Sequence, residues 1–272
     1  NGYSRYYYYA YQLEVVWLLN HGFGMAALQR CETMRREAYT ENDAYGIYNC
    51  LRTMGQIYYS RSCFEMAKGY YEQSLRHVLD YLPEHPPSDA YFSLATVYIT
   101  KHDEDNRLKG LEYARMAETT GSKMKDMQVK AIELQACFNY RMGRFEDFEK
   151  DYARAKALRS EMKLNSSIWY TMMEMYKAVC DKRFDDALAY ADAMVSKPDR
   201  LQYRSRILQK MGKDKAALYV YELYVRARDS LYQAMHAEDL AEMNAQFETQ
   251  QLKHENTLLD LRNSELRVKQ MQ

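Results

Sequence analysis

One stretch, residues 51–75, limits what the chain can fold into more than any other. Apolar residues recur in it at helical spacings, which predicts two short amphipathic helices joined by a tight turn. The first helix carries Leu51, Met54, Gly55 and Tyr58 on one face, and the second carries Phe64, Ala67 and Tyr71. The small Gly55 allows a neighbouring helix to approach closely. A single hairpin cannot bury its own apolar stripe, so the pattern calls for further hairpins stacked against it.

The pattern resembles the tetratricopeptide repeat, which has a large apolar residue, Leu-Gly and Tyr on its first helix and Ala and an aromatic residue on its second. Similar patterns recur along residues 8–230. The small residue of each second helix is found at Ala26, Ala67, Gly110, Ala187 and Ala217, and Phe148 stands there in the fourth unit. The resemblance implies an all-α fold, a superhelix of about six helical hairpins. The bulky Phe148 predicts a local widening of the packing.

The composition agrees with an all-helical chain. Its 272 residues include only 10 Gly and 4 Pro, which leaves little material for strands and turns. Lys plus Arg number 38, as do Asp plus Glu, so we expect no nucleic acid to bind this segment. No apolar run approaches the ~20 residues that span a bilayer, and no secretory leader is present, so the chain as given is expected to be soluble. A membrane would be contacted only through a segment absent from this chain.

The last part of the sequence has a different character. Residues 231–271 contain no Gly and no Pro, which predicts one long helix. The chain is therefore divided into a repeat array, residues 1–230, and a long C-terminal helix, residues 231–272. A heptad stripe with Asn at intermediate positions is typical of a two-stranded parallel coiled coil. The predicted dimerisation residues are Leu252, Asn256, Leu259, Asn263 and Leu266. In the alternative, part of this helix folds against the array as a cap.

A concave groove lined by the first helix of each hairpin is the predicted binding surface. Its residues lie opposite the packing stripe, and we expect about half of them to be exposed and the rest to pack between repeats. They are Tyr8, Tyr11, Asn49, Arg52, Gln56, Tyr59, Phe92, Lys130, Tyr140, Trp169, Met172 and Tyr176. Rigid rings among a few polar groups favour peptide or protein recognition. Family members that clamp a carboxylate use Lys, Arg and Asn on successive first helices; only Asn49, Arg52 and Lys130 suggest this, so no clamp is predicted.

The sequence contains no recognisable catalytic pattern. The six His residues are dispersed, and neither a phosphate-binding loop nor a nucleophile elbow is present. We therefore expect no enzymatic activity, no cofactor and no metal site. Asp103 and Asp105 lack the other ligands of a calcium loop, which favours a solvated insertion. The five Cys residues are predicted to be small buried hydrophobic residues, and a pairing of Cys50 with Cys63 on one hairpin stays open.

A second resemblance lies at the start of the C-terminal helix. Residues 227–231, ARDSL, and residues 247–251, FETQQ, are similar to the junction in bacterial membrane-bound sensors. In those proteins an extracytoplasmic tetratricopeptide array leads through a linker helix to a histidine kinase or a helix-turn-helix transcription regulator. The resemblance implies a periplasmic sensor region that binds a protein or peptide and dimerises through its last helix. The alternative is a cytoplasmic scaffold for protein assembly, which the odd number of Cys residues favours.

Overall fold

A computed structural model of the protein describes residues 2–101, 103–162, 167–194, 196–234 and 237. Twelve α-helices are the regular elements of these residues, which confirms the all-α prediction. The helices are α1 (Gly2–Asn20), α2 (Gly24–Thr40), α3 (Ala44–Ser60), α4 (Phe64–Tyr81), α5 (Ser88–Tyr98), α6 (Glu104–Thr120), α7 (Lys125–Arg141), α8 (Phe145–Ser160), α9 (Ile168–Cys180), α10 (Phe184–Asp192), α11 (Lys197–Lys210) and α12, helical over residues 214–234.

Consecutive helices pack as antiparallel pairs, α1 with α2, α3 with α4 and onwards along the chain. The helices α3, α5, α7 and α11 also pack against the helix that precedes them, and α1, α3, α5, α7 and α9 form a continuous row. The Ser205 hydroxyl of α11 donates a hydrogen bond to the carbonyl oxygen of Ala217 on α12 (2.7 Å). This arrangement is that of a helical-hairpin solenoid, as the sequence pattern predicts.

The chain divides into two compact units, residues 1–227 and residues 228–272. The hairpin array and every contact discussed below belong to the first unit. The predicted coiled-coil residues, Leu252, Asn256, Leu259, Asn263 and Leu266, lie outside the described residues, so the dimer stays a prediction. Among the described residues, no helix combines the length and the apolar character that crossing a membrane requires.

Small residues mark the closest helix contacts, as expected. A Cβ atom on Gly55 would lie 2.4 Å from the Tyr71 ring of α4, and Ala67 is completely buried. Phe148, at the small-residue position of the fourth unit, is also completely buried, and its ring centroid lies 5.6 Å from that of Tyr140. Gly110, Ala187 and Ala217 are buried as well, whereas Ala26 is partly exposed and its neighbour Ala27 is the buried residue of α2. The small-residue prediction is therefore confirmed in every unit that has one except the first, where the contact lies one residue further along the chain.

The starts of α5 and α6 have caps that the sequence pattern did not identify. Ser88 directly follows the proline-rich segment, and its hydroxyl predicts it as the cap of α5. This prediction is wrong: Pro87 holds the cap position, and the buried Ser88 lies in the first turn. The proline-rich segment before α5 brings the helix start one residue forward, so the hydroxyl no longer precedes the helix. The carboxylate of Asp103 caps α6 by accepting a hydrogen bond from the backbone N–H of Asn106 (2.9 Å). Helix capping therefore gives a structural reason for Asp103 in the insertion before α6.

The cysteines are all free thiols, and Cys50 does not pair with Cys63. The Sγ atom of Cys50 lies 3.9 Å from that of Cys31, in the buried contact between α2 and α3. Cys63 is exposed, which contradicts the prediction of a buried side chain. Its position immediately before α4, at the hairpin turn, directs it to solvent.

Candidate functional site

The predicted groove residues differ in burial. Those buried in the packing between helices are Tyr8, Tyr11, Asn49, Met172 and Tyr176. Those partly exposed are Arg52, Gln56, Tyr59, Phe92, Lys130, Tyr140 and Trp169. The second set is the part of the predicted groove that a partner could contact directly.

The polar groove residues that could suggest a carboxylate clamp are engaged within the protein. The Asn49 side-chain amide donates to the backbone carbonyl of Tyr8 (2.8 Å). Arg52 donates to the side-chain carbonyl of Gln12 (2.9 Å), and the Lys130 ammonium lies 3.4 Å from Asp126. Each of the three side chains therefore has a partner within the protein, although Arg52 Nε has no hydrogen-bond partner among the described residues.

Several groove rings contact one another. Phe92 of α5 and Trp169 of α9 meet edge to face with their centroids 6.4 Å apart. Tyr140 of α7 and Tyr176 of α9 are stacked at 4.0 Å. The row of first helices therefore brings together aromatic side chains that lie far apart in the sequence.

Tyr59 of α3 is within electrostatic reach of two more distant helices. Burial raises the pKa of this phenol to about 12; the Asp199 carboxylate of α11 adds to the rise, and the Arg141 guanidinium of α7 opposes it. Burial also raises the pKa of Asp199, although the Ser196 hydroxyl and Arg141 act in the opposite direction. Side chains of α3, α7 and α11 thus share one polar environment.

A cavity of about 450 Å³ opens beside Arg141. We call it the basic pocket. Its walls come from the first turns of α6, the turn after α7, and the C-terminal halves of α9 and α11. The lining residues are Arg107, Tyr140, Arg141, Gly143, Phe145, Met175, Tyr176, Val179, Tyr203, Arg206, Ile207, Gln209 and Lys210. Four of them are cations, and no Asp or Glu is found among the described residues of the lining.

Arg141, the last residue of α7, is held rigidly at the wall of the basic pocket. Its Nε donates to the Tyr176 hydroxyl (3.1 Å), and its Nη2 donates to the Tyr203 hydroxyl (2.9 Å). Its Nη1 donates to the backbone carbonyl of Ile99. All three acceptors are neutral, and burial keeps the Tyr203 pKa well above its ordinary value, so that phenol stays uncharged at neutral pH. The guanidinium charge is oriented but has no counter-charge in these bonds.

The other three cations surround Arg141. Arg107 of α6 donates from Nη1 to the Arg141 carbonyl (3.1 Å) and from Nε to the Lys101 carbonyl (3.3 Å). Arg206 and Lys210 are exposed and lie one turn apart on α11. Within the part of the chain that the structure describes, none of the four cations forms an ion pair. The basic pocket is suited to an anion, since its described lining holds four cations and no carboxylate.

Tyr140 and Tyr176 are among the groove residues predicted from the sequence, whereas the four cations and Phe145 are not. One signal was available: Arg206 and Lys210 are like charges four residues apart on one helix face, an arrangement that destabilises an isolated helix. A second signal is that Arg141 ends its helix directly before the turn that contains Gly143. Neither signal indicates that these side chains meet, because they belong to three different hairpins.

Compared with known proteins, the chain matches no family model and no curated sequence. The likeness to tetratricopeptide repeats is therefore carried by the residue pattern and by the hairpin architecture.

Proposed function

We propose that the chain is a non-enzymatic recognition module of the tetratricopeptide type that binds a protein or peptide. We further propose that it serves as the input region of a bacterial signal-transduction or transcription-regulatory protein. The observation that carries the first proposal is the continuous row of first helices, α1 to α9, whose outer positions carry partly exposed rings and polar groups. Rigid rings supply contact area at a small cost in conformational entropy, which suits recognition of an extended partner.

Peptide selection tests the recognition proposal. Random peptides displayed on phage would be selected against the intact chain, and the selected peptides would be titrated by calorimetry. Because anchor rings dominate such interfaces, Trp169→Ala and Tyr59→Ala should each weaken binding by about tenfold or more. Tyr219→Ala provides a matched control, since Tyr219 is 63% exposed on α12. Circular dichroism would verify that the helical content of each variant is unchanged.

Two results would contradict the recognition proposal. One is a selection that yields no binding peptide. The other is equal affinity of the selected peptides for wild type, Trp169→Ala, Tyr59→Ala and the Tyr219→Ala control.

For an input region, binding has to be linked to an output. A ligand shifts a conformational equilibrium only if its affinities for the two conformations differ. The sequence of the gene beyond Gln272 provides the direct test. An apolar run of about 20 residues followed by a kinase or DNA-binding domain would support the sensor proposal. A gene that encodes neither would refute it.

The alternative is a cytoplasmic scaffold that mediates protein assembly. It is favoured by the odd number of Cys residues, five, which are scattered along the chain without a paired spacing. Thiol titration of the protein purified from its native compartment distinguishes the two. Five reactive thiols after unfolding agree with a reducing compartment, whereas three agree with an oxidised Cys31–Cys50 pair and a periplasmic location.

A further inference from the structure

We propose that the basic pocket is a binding site for an oxyanion, a carboxylate or phosphate group, carried by a ligand with a small apolar or aromatic body. The inference does not depend on peptide binding by the groove. It rests on four cationic side chains from three helices that surround one cavity whose described lining contains no carboxylate.

Arg141 supplies the fixed donor of this site. A guanidinium has five N–H groups, and the bonds to Tyr176, Tyr203 and Ile99 use three of them, one on each nitrogen. One N–H on each Nη atom is left, and these two donors can form charge-assisted hydrogen bonds to an oxyanion. Since three bonds already hold the side chain, little conformational entropy is lost when an anion binds.

The charge balance around Arg141 favours a bound anion. A partly buried cation without a counter-charge is energetically unfavourable, and neutral acceptors compensate it only in part. Asp199 of α11 lies within electrostatic reach of Arg141 and compensates its charge in part, but it does not line the pocket and forms no ion pair with Arg141. An oxyanion between Arg141 and the α11 cations would add a counter-charge in direct contact with the guanidinium.

Arg206 and Lys210 add two mobile donors. They lie four residues apart on α11, so both side chains reach the same opening of the pocket. The helix dipole stabilises a cation near the C-terminus of a helix. This effect would account for one cation at the end of α7 and one at the end of α11. The helix dipoles therefore do not account for all four cations around the cavity. An anion between Arg206 and Lys210 would also relieve the repulsion between these two like charges.

The rest of the pocket defines the body of the ligand. Its volume, about 450 Å³, lies within the range of small-molecule sites. Phe145 is 54% exposed at the rim, and its ring centroid lies 5.9 Å from that of Tyr140. Tyr140 and Tyr176 form a stacked wall. A ligand that joins one oxyanion to one ring or aliphatic group fits this combination of charge and apolar surface.

Calorimetric titration of the intact chain, in a buffer free of phosphate and carboxylates, tests the site. The probes are phenyl phosphate, N-acetylphenylalanine and N-acetylphenylalanine amide. We expect at least one of the two anions to bind, and the uncharged amide to bind about tenfold more weakly or worse, because charged hydrogen bonds are lost. Tighter binding of phenyl phosphate would identify a phosphorylated small molecule as the source of the oxyanion. Tighter binding of N-acetylphenylalanine would identify a carboxylate, such as a peptide terminus.

The decisive variant removes the exposed cations. Arg206→Gln with Lys210→Gln should weaken anion binding by about tenfold or more, since two charge-assisted contacts are lost. Lys213→Gln with Lys215→Gln, an exposed pair outside the pocket, removes the same charge and should leave the affinity within about twofold. Equal affinities of both double variants, or no anion binding by the wild type below about 10 mM, would overturn the proposal. Both outcomes are independent of whether the groove binds peptides.

Discussion

Gly110 of α6 lies where three helices meet, and its replacement by Ala measures how closely they pack. A Cβ atom at this position would lie 2.3 Å from Cζ of Phe138 on α7 and 2.7 Å from Cβ of Tyr98 on α5. Phe138 and Tyr98 are 0% and 2% exposed, so neither can turn outwards. The contact with Tyr98 is the more restrictive, because a Cβ atom moves only with its backbone.

The expected loss of stability is the sum of two opposing effects. Adding a methyl group to a filled core costs about 1–3 kcal/mol, and the backbone contact points to the upper part of that range. Ala stabilises a helix interior by about 1 kcal/mol relative to Gly. We therefore expect Gly110→Ala to lower the free energy of unfolding by about 2 kcal/mol.

Gly69 provides a matched control in the interior of α4. A Cβ atom there would meet nothing within 4 Å, so Gly69→Ala should stabilise the protein by about 0.5–1 kcal/mol through helix propensity alone. Because the propensity effect is common to both substitutions, the difference between the variants isolates the steric effect. Urea unfolding followed by circular dichroism gives both values. If Gly110→Ala were as stable as Gly69→Ala, the close packing of α5, α6 and α7 would be refuted.

Three further predictions concern a turn, a histidine and the C-terminal helix. Lys182→Gly should raise stability by about 0.5–1 kcal/mol in urea unfolding, because the positive φ of 57° at this hairpin turn strains an L-residue; an unchanged midpoint would contradict this. Burial is the main cause that lowers the pKa of His85 below 6.5, so the folded state favours the neutral ring, and stability should fall as the pH decreases through 6.5 towards the folded-state value. His85→Leu should flatten this dependence in thermal unfolding between pH 7 and 5, and equal slopes would exclude His85 as its source. Leu252→Glu with Leu259→Glu should convert a dimer into a monomer in light scattering, whereas a monomeric wild type would refute the coiled coil.

Much of the fold was predictable because hairpins are specified locally. The spacing of apolar residues over residues 51–75 predicts both helices of that hairpin. Gly143 and Gly212 each lie in a turn between two helices and have the positive φ that glycine adopts without strain. Ser88 was misassigned because the choice between two adjacent cap positions depends on how the preceding proline segment approaches the array. Cys63 was misassigned because the helix pattern does not show that the residue after a turn faces solvent.

The groove and the basic pocket show where sequence reasoning ends. Periodicity identified the helix face that holds Asn49 and Tyr176, but these side chains are buried by neighbouring hairpins. Burial at such positions depends on the rotation between successive hairpins, which no local pattern encodes.

The sequence by itself determined the helices, their pairing and the small residues at their contacts, because helix propensity and apolar periodicity act within one hairpin. Only the tertiary structure decided that Arg107, Arg141, Arg206 and Lys210 share one cavity. These residues are separated by up to 103 positions in the chain, from 107 to 210. Small rotations add up from one hairpin to the next, and their sum decides which side chains meet at the ends of α7, α9 and α11.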